Sequence, residues 1–257
     1  MSLSLSFEKE VVVVVGAASG IGHATAELFQ EARAHVVRLD RVPVEGDDSY
    51  EVDATDLDAL QAVANKIHDR YQRIDHVVVS IGASTGSLGF PFWNVSPGQW
   101  EAALDVNLVA PVRVAHAFVP FLVAAEKGTI CFVVSVAGQI GSQTDPPYSA
   151  AKAGLINFMQ CAARDLAGYN VRVNAVSPGM VKTPLNRSVW QAWRESSADN
   201  RLDYEDWAEE KIQRIAPLGR WQTGKDVAAA VGFLASDLAK NMTGQTVNVD
   251  GGQVMHS

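Results

Sequence analysis

The sequence predicts an α/β chain built on a mainly parallel sheet covered by helices on both faces. Three observations predict it. Short apolar, β-rich runs recur along the chain, segments of helical periodicity separate them, and the first run breaks into glycines where a helix begins. An unbroken apolar run lacks the alternation of a half-exposed strand, so both of its faces must be covered.

Val11 to Val15 is the first such run. It ends in Gly16-Ala17-Ala18-Ser19-Gly20-Ile21-Gly22, after which apolar residues return with helical spacing at Ala24, Leu28, Phe29 and Ala32. Gly16 lets the chain turn off the strand, Gly20 lets backbone approach a pyrophosphate, and Gly22 lets the helix pack close to the sheet. The amides at the helix start then receive phosphates. The spacing Gly-x-x-x-Gly-x-Gly is not the commoner Gly-x-Gly-x-x-Gly, so the turn alone also fits an ordinary loop. His35 to Leu39 is the second β-rich run, and it ends in Asp40, eighteen residues after Gly22, where a carboxylate can accept hydrogen bonds from adenosine ribose hydroxyls. Further strands are expected at His76 to Val79, Thr129 to Val134, Val171 to Val176 and Thr246 to Val249.

With 257 residues and 47% apolar content the chain can bury one large core, and no linker, repeat or low-complexity run divides it. One domain over 1–257 is expected. The formal charge of −8, without a basic stripe, argues against nucleic acid and anionic membranes as partners. No run approaches the ~18 apolar residues of a membrane span, and Met1 to Ser6 lacks the charged and apolar regions of a secretory signal. A cytoplasmic protein is expected. Cys131 in a strand pattern and Cys161 on a helix read as core thiols, with no disulfide or metal site.

Tyr148 and Lys152, in Tyr-Ser-Ala-Ala-Lys, open an apolar-periodic helix, and their spacing stacks a phenol and an ammonium on one face. A fixed cation beside a phenol favours phenolate, lowering a pKa that is ordinarily ~10, so the phenol can exchange a proton with a substrate oxygen. Alone, the pair also fits a solvated helix face.

Taken with the glycine turn and Asp40, the chain resembles a short-chain dehydrogenase/reductase over essentially its whole length. Its motifs follow in order: Asp53 in Glu-Val-Asp-Ala54-Thr-Asp, similar to the acid that meets the adenine amino group; Ser80-Ile81-Gly82; Asn107 in Asp-Val-Asn-Leu; Ser135 in Val-Val-Ser-Val-Ala-Gly; the Tyr148/Lys152 pair; and Asn174-Ala-Val-Ser-Pro178-Gly179, leading through Val181 to Thr183, which resembles the hydroxyl that grips the nicotinamide carboxamide. The family usually has threonine before the first glycine and two asparagines after strand four. Here Val15, Val79 and Ser80 stand there, so the two loops are expected to meet through apolar packing of Val15 and Val79.

The resemblance implies a doubly wound, three-layer Rossmann sheet with a further short strand near Tyr50 and ligands at the carboxyl ends of the strands. It implies hydride transfer between a nicotinamide ring and a carbinol carbon, with Tyr148 as general base or acid. Lys152 would lower the phenol pKa and bond the nicotinamide ribose. Ser135 would orient the substrate oxygen, and Asn107 would hold a water linking Lys152 to solvent. The resemblance also implies that the dinucleotide lies along Gly16, Ser19, Gly20, Ile21 and Gly22, Asp40 and Arg41, Asp53 and Ala54, Ser80 and Gly82, Tyr148 and Lys152, and Pro178, Val181 and Thr183.

Asp40 accepts both ribose hydroxyls and repels a 2′-phosphate, which favours NAD over NADP. Arg41 is the opposing feature, since a guanidinium can pair with that phosphate, whereas uncharged Ala18 in the glycine loop supports NAD. The segment from Met180 to about Pro217 is expected to be a substrate lid, with Trp190, Trp193, Tyr204 and Trp207 either lining a pocket or packing two lid helices together. Trp93, Gln139, Gln143, Thr144 and Asp145 are candidate substrate contacts, and their polarity suits a small polar, cyclic or sugar-like alcohol. The alternatives are a 3-oxoacyl thioester reductase of the same family, with NADP and an acidic carrier that fit Asp40 and the negative charge poorly, and a non-catalytic dinucleotide sensor. Alanine- and valine-rich helices around Asn107 to Ala125 and Pro147 to Ala167 resemble those through which the family builds a homotetramer.

Overall fold

The computed structural model describes residues 5–46, 48–86, 91–142, 144–196 and 202–255. Seven parallel strands, β1 (Val11–Val15), β2 (His35–Asp40), β3 (Ser49–Glu51), β4 (His76–Val79), β5 (Gly128–Val133), β6 (Val171–Pro178) and β7 (Thr246–Val249), lie in the order β3-β2-β1-β4-β5-β6-β7. The order reverses between β1 and β4, so the loops leaving these two strands part there and open a crevice above their carboxyl ends. This is the doubly wound sheet expected, including the short strand at Tyr50.

The helices are α1 (Gly20–Glu31), α2 (Leu57–Tyr71), α3 (Pro97–Leu104), α4 (Ala110–Ala125), α5 (Pro146–Leu166), α6 (Pro184–Ser196), α7 (Tyr204–Ile215) and α8 (Gly224–Ala235). Five successive valines serve both faces of β1. Val11, Val13 and Val15 join Leu60, Phe118 and Met159 under α2, α4 and α5, whereas Val12 and Val14 join Phe29, Val227 and Val231 under α1 and α8. A third cluster is separate from the sheet and holds α6 against α7: Trp190, Tyr204, Trp207, Ala208 and Ile212 are buried in it, with Trp193 at its edge.

Two expectations are corrected by the packing. Cys131 is buried in β5, but Cys161 is exposed, because the core stripe of α5 runs through Leu155, Met159, Ala162 and Leu166 and leaves position 161 outside it. Pro97–Ala125 is also one continuous helix of 29 residues, long and apolar enough in composition to cross a membrane. Arg113 and His116 interrupt its apolar runs and hide it from a count of consecutive apolar residues, and Val114, Phe118 and Leu122 pack it into the core. Within it, Asp105–Val109 widens into a π-helical turn that carries Asn107.

Candidate active site

A cleft of about 610 Å³ lies above the β1/β4 crevice. Gly16 leaves β1 at φ +87°, in the left-handed region, and a Cβ there would lie 2.4 Å from the Ser80 carbonyl oxygen. At Gly22 a Cβ would come within 1.9 Å of the Gly16 oxygen, so only glycine lets α1 begin directly over the strand exit. Val15 and Val79 are paired in register and buried, and the loops above them are tied by the Ser80 amide donating to the Val15 carbonyl (2.8 Å). The apolar substitution at these positions is therefore accommodated as expected.

The start of α1 differs chemically from five of the other helix starts. Asp56, Ser96, Asp145, Asp203 and Thr223 cap α2, α3, α5, α7 and α8 with side-chain hydrogen bonds, whereas Ser19 makes none and the first turn of α1 carries no acid. Ser19, Gly20 and Ile21 line the cleft, so their amides and the positive end of the helix dipole lie there without a built-in anion, whereas Gly22 is buried against Gly16 and serves packing. That donor set fits a pyrophosphate. Gly20 lies against Thr183, its Cβ position 3.2 Å from the threonine Cγ2, so the segment entering α6 rests on the phosphate turn.

At the adenosine end, Asp40 accepts from the amides of Ala18 (2.9 Å) and Val42 (3.3 Å), which fixes its carboxylate at the rim. Arg41 and Ala54 line the same end. One oxygen of Asp53 accepts both the amide and the hydroxyl of Thr55, at 2.8 Å each, and these bonds hold its pKa below the usual carboxylate value. Asp53 thus lines the cleft at this end.

At the opposite end Ser135, Tyr148 and Lys152 converge. Lys152 is 1% exposed and donates to the carbonyls of Ile81 (2.9 Å) and Val133 (3.1 Å), at the carboxyl ends of β4 and β5. Its Nζ lies 5.6 Å from the centre of the Tyr148 ring. Burial pushes the lysine pKa down to about 7 and the tyrosine up to about 12. The hydrogen bond from Ser135 opposes the rise at Tyr148, and the Asp145 charge adds to it. The ammonium is bonded to two main-chain carbonyls among apolar walls, and the Ser135 hydroxyl is the group hydrogen-bonded to the phenol. Ser135 also accepts the Ala137 amide (3.1 Å), so it is a strand-end turn residue as well.

Asn107 lies fully buried behind the cleft. Its Oδ1 accepts the Ala83 amide (3.0 Å) while Nδ2 donates to the carbonyls of Ala83 and Ala103 (2.9 Å each). Its side chain is thus a clamp between the π turn and the loop after β4. Gly82 sits between this clamp and Lys152, its Cβ position 3.6 Å from the asparagine Oδ1 and 3.8 Å from the lysine Nζ. Asn174, also buried, bonds Met242 and Gln245 and serves the β6–β7 connection.

The candidate substrate contacts divide. Thr144 and Asp145 line the cleft, but the Asp145 carboxylate is taken by the amides of Tyr148 (3.3 Å) and Thr85 (2.8 Å) and the hydroxyl of Ser84 (3.0 Å). Gln139 forms a reciprocal amide pair with Asn248 (2.7 and 3.1 Å), away from the cleft. Trp93 is 71% exposed and faces solvent beside Phe92. Gln143 lies outside the described residues, as do 197–201 of the expected lid. The aromatic residues of that segment pack α6 on α7. Smaller residues the sequence reading passed over, Leu185, Asn186, Val189, Lys211 and Ile215, face the cleft instead. The four-residue spacing of Lys211 and Ile215 on one helix is the signal that could have found them.

A family model described as an enoyl-(acyl carrier protein) reductase matches residues 16–254. The chain belongs to the short-chain dehydrogenase/reductase family. It is 34% identical to the 3-oxoacyl-(acyl-carrier-protein) reductase FabG of Thermotoga maritima, over 98% of this chain and 100% of that one. It is 32% identical to the acetoacetyl-CoA reductase of a Synechocystis strain, over 97% and 98% of the two chains. The ligand-free aldohexose dehydrogenase of Thermoplasma acidophilum superposes with a TM-score of 0.88 at 29% identity, covering 98% of this chain and 96% of that one. This short-chain dehydrogenase/reductase is accordingly an oxidoreductase acting on CH–OH groups with a nicotinamide dinucleotide.

Proposed function

We propose that the protein interconverts a secondary alcohol and a ketone with NAD as its dinucleotide. The observation that carries this reading is the convergence of Ser135, Tyr148 and Lys152 at one end of a cleft whose other end is the uncapped α1 start and the Asp40 carboxylate. The dinucleotide, when bound, supplies the hydride acceptor or donor. Ser135 donates to the substrate oxygen and holds it beside the Tyr148 hydroxyl. Tyr148 takes the carbinol proton in oxidation and returns it in reduction. Lys152 holds the loop ends of β4 and β5 together and offers its remaining N–H to a ribose hydroxyl. Asp40 accepts ribose hydroxyls and disfavours a 2′-phosphate by like-charge repulsion. The α6–α7 segment is the lid over the substrate, and the chain acts as one domain.

A second reading, a 3-oxoacyl thioester reductase, is favoured by the names of the curated relatives and of the matching family model. Both readings use the same proton-transfer residues. Initial rates with NADH and NADPH, each against acetoacetyl thioesters and a panel of sugars, cyclic alcohols and hydroxy acids, separate them. A preference for NADPH with thioesters alone overturns the first reading, and no turnover with either cofactor overturns both.

We also propose a homotetramer. Its support is the alanine- and valine-rich α4 and α5, with the apolar side chain of Val109, 38% exposed, on the surface of the π turn that leads into α4. A monomeric mass in sedimentation would refute it.

A further inference from the structure

The substrate end of the cleft holds a cation that proton transfer does not use. Lys211 and Ile215 share one face of α7 and line the cleft together, and Trp207, one turn earlier, places its indole 4.8 Å from the Lys211 Nζ. None of the ion pairs among the described residues includes Lys211. Its charged neighbour is another cation, Arg214, and together with burial it pushes the lysine pKa down. The acid at this end, Asp145, is already taken by Ser84, Thr85 and Tyr148. Around them the wall is largely apolar, with Ile140, Met180, Leu185 and Val189. A partly buried ammonium with no counter-charge among the described residues, beside a second cation and facing an apolar wall, is costly until an anion reaches it.

We propose that Lys211 anchors an anionic group, a carboxylate or a phosphate, that the substrate carries away from its reacting carbon. The proposal rests on the alcohol–ketone reading above and narrows its substrate class. A neutral sugar or cyclic alcohol would bring the ammonium no anion. A free oxo or hydroxy acid would supply a carboxylate, and a coenzyme A or carrier thioester would supply a phosphate. The Trp207 indole lies against the ammonium itself, a neutral contact that leaves the positive charge without an anion at the cleft wall.

The test compares matched substrates in the full chain, K211M and K211R. With NADH, kcat/KM is measured for acetoacetate against its methyl ester, and for acetoacetyl-coenzyme A against acetoacetyl-N-acetylcysteamine. The expected result is a preference of about tenfold or more for one charged member, falling toward unity in K211M and kept in K211R. Which pair shows the preference distinguishes carboxylate from phosphate. An unchanged charged-to-neutral ratio in K211M overturns the proposal, as does weaker NADH binding in place of a changed ratio. A calorimetric arm titrates NADH-loaded protein with butyrate, butyramide and inorganic phosphate. Binding of an anion that is lost in K211M supports Lys211 even where no substrate turns over, an outcome that would refute the alcohol–ketone reading alone. Turnover without charge preference, and no anion binding, keeps that reading and removes Lys211.

Discussion

Lys152 lies 5.6 Å from the centre of the Tyr148 ring, yet its ammonium donates to the carbonyls of Ile81 and Val133. The hydrogen bond that favours the phenolate comes from Ser135. The geometry thus gives Ser135 the direct bond to the acid–base group, while Lys152 also fixes the walls around it.

Tyr148→Phe removes the group that exchanges the proton, and turnover is expected to fall by about 10²–10⁴ or more while dinucleotide binding stays measurable. Ser135→Ala removes the bond that opposes the upward pKa shift. The phenol then needs a still higher pH to ionise, so the alkaline rise of the oxidation rate moves to higher pH than in the unaltered protein. A pH profile of kcat/KM checks this, and an unmoved profile in Ser135→Ala would detach the serine from the phenol.

Asp40→Asn retains an oxygen for the Ala18 amide and loses the charge. Hydrogen bonds to an ionised partner are worth roughly 1.5–3 kcal/mol, so kcat/KM with NAD should fall about 10–100-fold. The NADP-to-NAD ratio should rise, because the repulsion of a 2′-phosphate is gone and Arg41 remains. Steady-state rates with both cofactors measure the ratio directly; a constant ratio would show that Asp40 does not select.

Burial lowers the Lys152 pKa to about 7 in the folded chain, against an unfolded value of ~10.4. Between these values the unfolded chain binds more protons, so stability rises with pH. Cys131 and Tyr148, both raised to about 12, act oppositely: their unfolded forms ionise first, and stability falls as pH passes the ordinary thiol and phenol values. The window left to Lys152 is about pH 7 to 8.5. Chemical denaturation of the ligand-free protein across it should show a rise that Lys152→Met flattens, and an equal slope in both would place the lysine pKa elsewhere.

Much of this was legible in the chain because it is written in local chemistry. The valine run of β1 and the glycines at positions 16 and 22 each have one steric solution, and strand, turn and helix follow from them. The Tyr148–Lys152 spacing likewise places two side chains on one helix turn without tertiary information. What stayed hidden depends on distant partners. Gln139 is spaced like a substrate contact but meets Asn248, 109 residues away, and the direction of the Lys152 ammonium depends on two carbonyls on other strands. The lid aromatics were ambiguous for the same reason: only the packing of α6 on α7 decides that Trp190 and Trp207 face each other's helices while Lys211 faces the cleft.

Asn107 offers the last prediction. Its side chain makes three hydrogen bonds from a site with no exposure, two of them to the amide and carbonyl of Ala83, so it holds the loop after β4 against the π turn. Asn107→Leu keeps the approximate volume and leaves both groups of Ala83 without a partner. Stranding buried polar groups costs about 1–3 kcal/mol, which denaturant unfolding would register. The loop also carries Ser84 and Thr85, which Asp145 holds from the other side at the head of α5. Loosening one clamp should therefore speed hydrogen exchange at Ala83 and Thr85 and lower kcat through the altered approach to Tyr148, with little change in dinucleotide affinity at the distant adenosine end. If exchange at those amides is unaltered while kcat falls, the asparagine acts on the chemistry by another route, such as the water expected to link Lys152 to solvent.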